Sequence, residues 1–219
     1  LFTTCSTSVI YVTLLEVLGV IAFALSGGAV AVRCKMDWLG VIVLAVVSAV
    51  GGGTLRDILL GNTPVWWVNE AWPIAVAGAV AIVVIAVGHR VPHVSLDSPR
   101  AVLIADAGGL AAFSVSGALA AHAAGVPAWS AVVFGVLTGS GGGVIRDLLA
   151  MRRPLIFGGQ IYALAALAGS ATTVVLAEVE SPADVTRWVG VAVTFALRLM
   201  AMQMDWQLPK FDESTRISN

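Results

Sequence analysis

Long apolar runs separated by short polar intervals occupy almost the whole chain, and within the runs the apolar positions are continuous rather than alternating. A helix needs about 20 residues to cross a hydrocarbon layer roughly 30 Å thick. Seven segments reach that length, at about 10–32, 38–60, 67–88, 101–122, 128–150, 155–177 and 185–204. The intervals carry turn formers or charges, as in Cys34-Lys35-Met36-Asp37, His89-Arg90-Val91-Pro92, Gly125-Val126-Pro127, Arg152-Arg153-Pro154 and Ser181-Pro182-Ala183-Asp184. A barrel strand would alternate apolar and polar residues, which these runs do not. The pattern predicts an all-α membrane protein: a single transmembrane domain over residues 1–204, followed by a tail over 205–219.

Seven crossings place the ends of the chain on opposite faces. Arg33, Lys35, Arg90, Arg100, Arg152, Arg153, Lys210 and Arg216 share one face, against Arg187 alone, at the start of the seventh span, on the other. Basic residues gather on the cytoplasmic side, so the expected orientation is C-terminus inside and N-terminus outside. Trp66, Trp67, Trp129 and Trp188 fall at expected outer ends and Trp38 and Trp206 at inner ends, the positions of interfacial anchors; Trp72 lies deeper, suited to internal packing.

The chain also matches itself. An ungapped shift of 90 residues lays Gly51-Gly52-Gly53-Thr54-Leu55-Arg56-Asp57 on Gly141-Gly142-Gly143-Val144-Ile145-Arg146-Asp147. The same register pairs Glu16 with Asp106, Gly19 with Gly109, Phe23 with Phe113, Ser26 with Ser116, Gly27 with Gly117 and Pro64 with Pro154. Spans one to three (10–88) and four to six (101–177) therefore read as two copies of one unit, with the seventh span (185–204) outside it. Three crossings per unit reverse the second copy, which predicts two inverted repeats about an axis in the membrane plane.

Each glycine triplet lies about two thirds of the way along its span, the second or the fifth. Three residues without Cβ weaken a helix and let a backbone or solute approach closely. The expectation is a bend or unwinding that turns carbonyls toward a wet centre, with Ser48, Thr54, Thr138 and Ser140 adding polar lining. Close helix packing is the other membrane use of glycine, and the two readings are compatible.

Charges inside apolar runs must face the bundle interior and find partners. Depth along the spans predicts Glu16 with Arg56 near the outer face and Asp106 with Arg146 near the inner face, as gates or static locks. Asp57 and Asp147 would offset the neighbouring arginines. Arg198 is placed to pair near Asp147 or to snorkel to the inner surface.

Composition adds exclusions. With 58% apolar and 11% charged residues, and a mean hydropathy of +0.94, the chain lacks the polar surface of a soluble domain. A net charge of -1 without a basic stripe gives no sign of nucleic-acid binding. Cys5 and Cys34 do not make a disulfide scaffold, and His89, His93 and His122 show no metal-ligand spacing, so interfacial roles fit them. No tightly bound metal, cofactor or catalytic constellation is expected, and Gly51-Gly52-Gly53-Thr54 lacks the lysine of a phosphate loop.

The doubled Gly-Gly-Gly-x-x-Arg-Asp and the expected seven-helix layout resemble the bacterial membrane family labelled the glycine transporter domain family. That family is related to the prokaryotic trimeric intracellular cation channels, and the resemblance covers roughly residues 10–204. It implies a homotrimer in a bacterial or archaeal plasma (inner) membrane. It further implies an hourglass pore in each subunit, kinked second and fifth helices at Gly51, Gly52, Gly53, Gly141, Gly142 and Gly143, and transient binding of monovalent cations, chiefly K⁺, near the kinks. Animal members carry lysine-bearing sequences after their glycines; Arg56-Asp57 and Arg146-Asp147 depart from these, and the departure bears on lipid regulation of the animal type.

The expected function is a passive monovalent cation channel, not an enzyme. Its alternative is a secondary transporter of a small solute such as glycine, because alternating access also uses inverted repeats with broken helices. A non-transporting scaffold is the third class.

Overall fold

A computed structural model describes residues 2–90, 99–157 and 161–206, without the side chains of residues 2–13, 89, 90 and 99. His93, Lys210, Arg216 and the expected tail from residue 207 onward lie outside the described residues, as do the side chains of Cys5, His89 and Arg90.

All regular structure among the described residues is helical: α1 (Phe2–Arg33), α2 (Trp38–Leu60), α3 (Trp66–Asn69), α4 (Trp72–Arg90), α5 (Pro99–Ala123), α6 (Ala128–Leu149), α7 (Ala163–Glu178) and α8 (Ala183–Gln203), with a 3-10 turn at Leu155–Phe157. Five helices are long and apolar enough to cross a membrane: α1, α2, α5, α6 and α8. Apolar stretches at Trp72–Gly88 in α4 and Ala163–Glu178 in α7 are shorter. The expected spans at 67–88 and 155–177 thus begin late. In each case the chain first turns back, because Asp57 Oδ2 accepts the Trp66 backbone N–H (2.9 Å) and Asp147 Oδ2 accepts that of Leu155 (3.1 Å).

Local chemistry sets the turns. Asp37 caps α2 by accepting the Gly40 N–H at 2.7 Å, and α2 ends at Gly61, whose φ of 72° closes a left-handed cap. The turn after α5 uses Gly125 at φ 77°. The 90-residue shift pairs these with Met151 and Lys35, each held at φ 54°. Each of these two repeat positions thus carries glycine in one copy and a side chain under strain in the other, and Glu180 and Asp205 take the same left-handed turn after α7 and α8.

The bundle is polar at its centre and apolar outside. Ile58, Leu59, Ile82, Val83 and Trp129 are exposed, while Arg146 and Arg198 are among the largest fully buried side chains. Water would reverse that distribution; hydrocarbon favours it. The helix α2 crosses α6 at the centre, α1 packs on α2, α4 and α5, and α7 and α8 pack on each other and on α5.

Candidate functional site

Both glycine triplets lie inside continuous α-helix, so the expected unwinding is absent. The triplets instead make the α2–α6 crossing. A Cβ on Gly52 would collide with the Thr138 carbonyl oxygen, and one on Gly142 with that of Ser48. A Cβ on Gly141 would lie 3.2 Å from the Gly52 Cα. Backbone meets backbone here, which no other residue type permits.

The small polar residues share that fate. Ser48, Thr54, Thr138 and Ser140 each donate their hydroxyl to a carbonyl four residues back, at 2.5, 2.8, 2.7 and 2.6 Å. Ser48 also fills the notch at Gly27, and Thr138 the notch at Gly117. Ser48, Thr138 and Ser140 are buried between helices, whereas Thr54 is half-buried and accepts the Trp67 Nε1–H at 2.9 Å.

Charge gathers at two centres flanking the crossing, called inner and outer after the orientation expected from the sequence. In the inner one, Arg146 Nη1 donates to Asp106 Oδ1 and Ser26 Oγ, both at 2.5 Å, and its Nε donates to Asp147 Oδ1 at 2.9 Å. All four residues are buried. Tyr162 Oη joins them: a Cβ on Gly143 would stand 2.8 Å from it, 3.3 Å from Asp106 Oδ1 and 3.7 Å from Arg146 Nη2. Arg198 does not snorkel; it is 0% exposed and lies 5.1 Å from the Tyr162 ring centroid. An aromatic face offers a guanidinium an internal partner, which removes the need to reach the surface.

The outer centre is looser. Arg56 Nε donates to Asp57 Oδ1 at 2.8 Å, and no ion pair within 4.0 Å joins Arg56 to Glu16. The expected Glu16–Arg56 contact is thus replaced by one between chain neighbours. Glu16 Oε1 accepts from Ser116 Oγ at 3.5 Å. Glu16, Arg56, Ser116, His122 and Arg187 line a cavity of about 420 Å³. His122 reaches Glu178 at 3.7 Å, and Arg187 reaches Asp184 at 3.3 Å.

On the inner side a smaller cavity, about 180 Å³, is lined by Arg33, Arg146, Asp147, Arg152 and apolar neighbours including Val30 and Leu155. Neither cavity is lined by a glycine of the triplets. Near the crossing, Phe23 and Phe113 stack with centroids 5.6 Å apart. Gly19 receives the Phe113 ring and Gly109 the Phe23 ring, a reciprocal contact between the halves.

Sequence reasoning gave no site role to Ser26, Ser116, His122 or Tyr162. The repeat register carried a signal for three of them, pairing Ser26 with Ser116 and Tyr162 with Trp72. Among the tryptophans, Trp38 and Trp129 are exposed as anchors are, but Trp66 packs inward on Phe113.

Comparison with known proteins places this architecture. A family model described as "Glycine transporter" matches residues 13–89 and 103–178, one segment in each half. The UPF0126 inner membrane protein YadS of Escherichia coli (strain K12) is 39% identical over 210 residues, covering 92% of this chain and 98% of that protein. A TRIC trimeric intracellular cation channel orthologue from Rhodobacter sphaeroides is 36% identical with a TM-score of 0.83, covering 89% of this chain and 98% of its own. Another TRIC cation channel, solved to explain conductance, is 34% identical with a TM-score of 0.81, covering 91% of this chain and 97% of its own. The chain belongs to the membrane-protein family described as glycine transporter, and that family is related to the TRIC cation channels.

Proposed function

We propose that this protein is a passive cation channel, chiefly for potassium, working as a homotrimer in a plasma (inner) membrane with one pathway in each subunit. The observation that carries the reading is the likeness to TRIC cation channels, 34–36% identical and superimposable over about nine tenths of the chain. The E. coli relative, named an inner membrane protein, supports the location.

The spanning unit is residues 1–204, with α1, α2, α4, α5, α6, α7 and α8 as seven crossings and 205–219 as a cytoplasmic tail; the N-terminus lies outside. Residues 10–88 and 101–177 are inverted repeats. Reciprocal contacts support this symmetry: Gly52 on Thr138 and Gly142 on Ser48, Phe23 and Phe113 in each other's glycine notches, and paired left-handed turns.

Cations enter the outer cavity beside Glu16 and Arg56, pass among α1, α2, α5 and α6, and leave by the inner cavity beside Arg146 and Asp147. The Phe23–Phe113 stack, the glycine crossing and the Arg146–Asp106 pair close the way between, so the state described is non-conducting. Arg146 gates the inner mouth by releasing Asp106. Arg56 and Glu16, set on one cavity without a direct bond, act at the outer mouth. Each arginine is opposed by the following aspartate, which lessens its repulsion of a passing cation.

A second reading is secondary transport of a small solute such as glycine. The family description favours it, as do two cavities separated by a closed centre, the layout alternating access requires. Unitary current steps under K⁺, Na⁺ and Cl⁻ gradients in planar bilayers support the channel. Saturable, competable glycine uptake into sealed vesicles without such steps supports the transporter and overturns the channel.

A further inference from the structure

Between α2 and α4 the chain doubles back, and α3 lays Trp66 against the outer half of α2. Asp57 Oδ2 holds the Trp66 backbone N–H at 2.9 Å, tying this strap to the Arg-Asp motif. The indole occupies the notch of the last glycine in the first triplet, where a Cβ on Gly53 would stand 2.5 Å from Nε1. Its ring meets Phe113 edge-on at 6.5 Å and Trp72 at 5.7 Å, and Phe113 in turn stacks on Phe23.

One feature separates Trp66 from a fully bonded wedge. Its Nε1 is buried and has no acceptor among the described residues, whereas the neighbouring Trp67 donates its Nε1 to Thr54 Oγ1 at 2.9 Å. A buried donor without a partner disfavours the position it occupies relative to one that water can reach. Ring burial holds Trp66 inward while the orphaned N–H pulls it outward. The two ends of α3 differ too, since a buried carboxylate, Asp57, tethers the start, while the end is held by an exposed one, Glu70, which accepts the Trp72 Nε1–H at 2.7 Å.

We propose that Trp66 is the outer gate of the pathway, an inference that rests on the channel reading above. In the closed position the indole fills the Gly53 notch and covers the Phe113–Phe23 stack. In the open position α3 tilts away about its Asp57 tether, Nε1 is hydrated, and the central stack becomes reachable from the outer face. The counterpart notch at Gly143 is filled by Tyr162 Oη, which stands beside Asp106 and Arg146 and, like Nε1 of Trp66, makes no hydrogen bond among the described residues.

Planar-bilayer recordings of wild type, Trp66→Phe, Trp66→Ala and the control Trp67→Phe test the proposal. Open probability should rise by roughly fivefold or more for Trp66→Ala, which removes the covering ring, and should fall for Trp66→Phe, which keeps a ring in the notch and removes the orphaned donor. Trp67→Phe, which removes a second tie of α3 to α2, should raise it by less than Trp66→Ala does. Unchanged open probability in assembled Trp66→Ala overturns the gate, as does an equal rise in Trp67→Phe. If Trp66→Ala fails to assemble, Trp66→Phe decides: a fall supports the gate, and a rise or no change overturns it. A wild-type protein that carries no current defeats the channel reading and the gate with it, whereas a conducting wild type with unmoved Trp66 variants defeats the gate alone.

Discussion

The two halves of the molecule use one motif in two ways. On the inner side Arg146 has three oxygen-bearing partners, Asp106, Ser26 and Asp147, all buried around it, with Tyr162 and Arg198 packed beside them. On the outer side Arg56 holds Asp57 alone among the described residues, and Glu16 and Ser116 stand with it around a cavity of about 420 Å³. Position for position the residues correspond, yet one centre is filled and borders a cavity of only about 180 Å³, while the other is hollow. Part of the cause lies outside the repeat. The eighth helix sends Arg198 into the filled centre, where it lies on Tyr162, and Arg187 to the rim of the hollow one. A duplicated motif thus gives one packed centre and one open to a larger cavity, because α8 meets the two with different side chains.

The largest test of this difference is removal of each arginine. Arg146→Gln strands two buried carboxylates, Asp106 and Asp147, and should cost about 3–5 kcal/mol, seen as a lower melting temperature or loss of assembled protein in detergent. Arg56→Gln strands one, Asp57, and should cost about 1–3 kcal/mol. Equal losses would remove the distinction between a filled and a hollow centre.

The crossing, by contrast, belongs to both halves. Gly52→Ala and Gly142→Ala each drive a methyl into a facing carbonyl, and each should cost about 1–3 kcal/mol by thermal unfolding. A near-equal pair of losses sharpens the comparison by confining the asymmetry to the charged centres. A large difference between the two would extend it to the backbone.

Smaller effects remain. Thr54→Ala removes the acceptor of the Trp67 indole and should cost about 0.5–1.5 kcal/mol in the same assay. Glu16→Gln, whose side chain is half-buried and meets no cation within 4.0 Å, should change stability by less than about 1 kcal/mol while lowering cation conductance. A stability loss for Glu16→Gln matching that of Asp106→Asn would contradict the hollow outer centre.

Helical membrane character was legible because hydropathy and length depend on composition along the chain, which folding does not alter. The doubled motif made the central residues legible, and burial of Arg56, Asp57, Asp106, Arg146 and Asp147 follows from the cost of charge in hydrocarbon. The conformation of the triplets was not legible. Gly51-Gly52-Gly53 can unwind or admit another helix, and the choice depends on whether a partner backbone comes close enough; here α6 brings an identical triplet. Which carboxylate Arg56 would take was equally hidden, since Asp57 is adjacent in the chain and Glu16 meets it only across a folded cavity. Tyr162 was marked only by its register with Trp72, because its place arises from Asp106 of α5, Arg146 of α6 and Arg198 of α8 meeting around it.

The central claim is that ions traverse the cavity holding Glu16 and Arg56. Place a cysteine at Ser116, on that cavity's wall, with Cys5 and Cys34 replaced by serine, and apply a positively charged thiol reagent to the outer face during single-channel recording. The account predicts that labelling lowers the K⁺ current in up to three equal steps, one for each subunit's pathway. Complete labelling by mass spectrometry with undiminished current would contradict it.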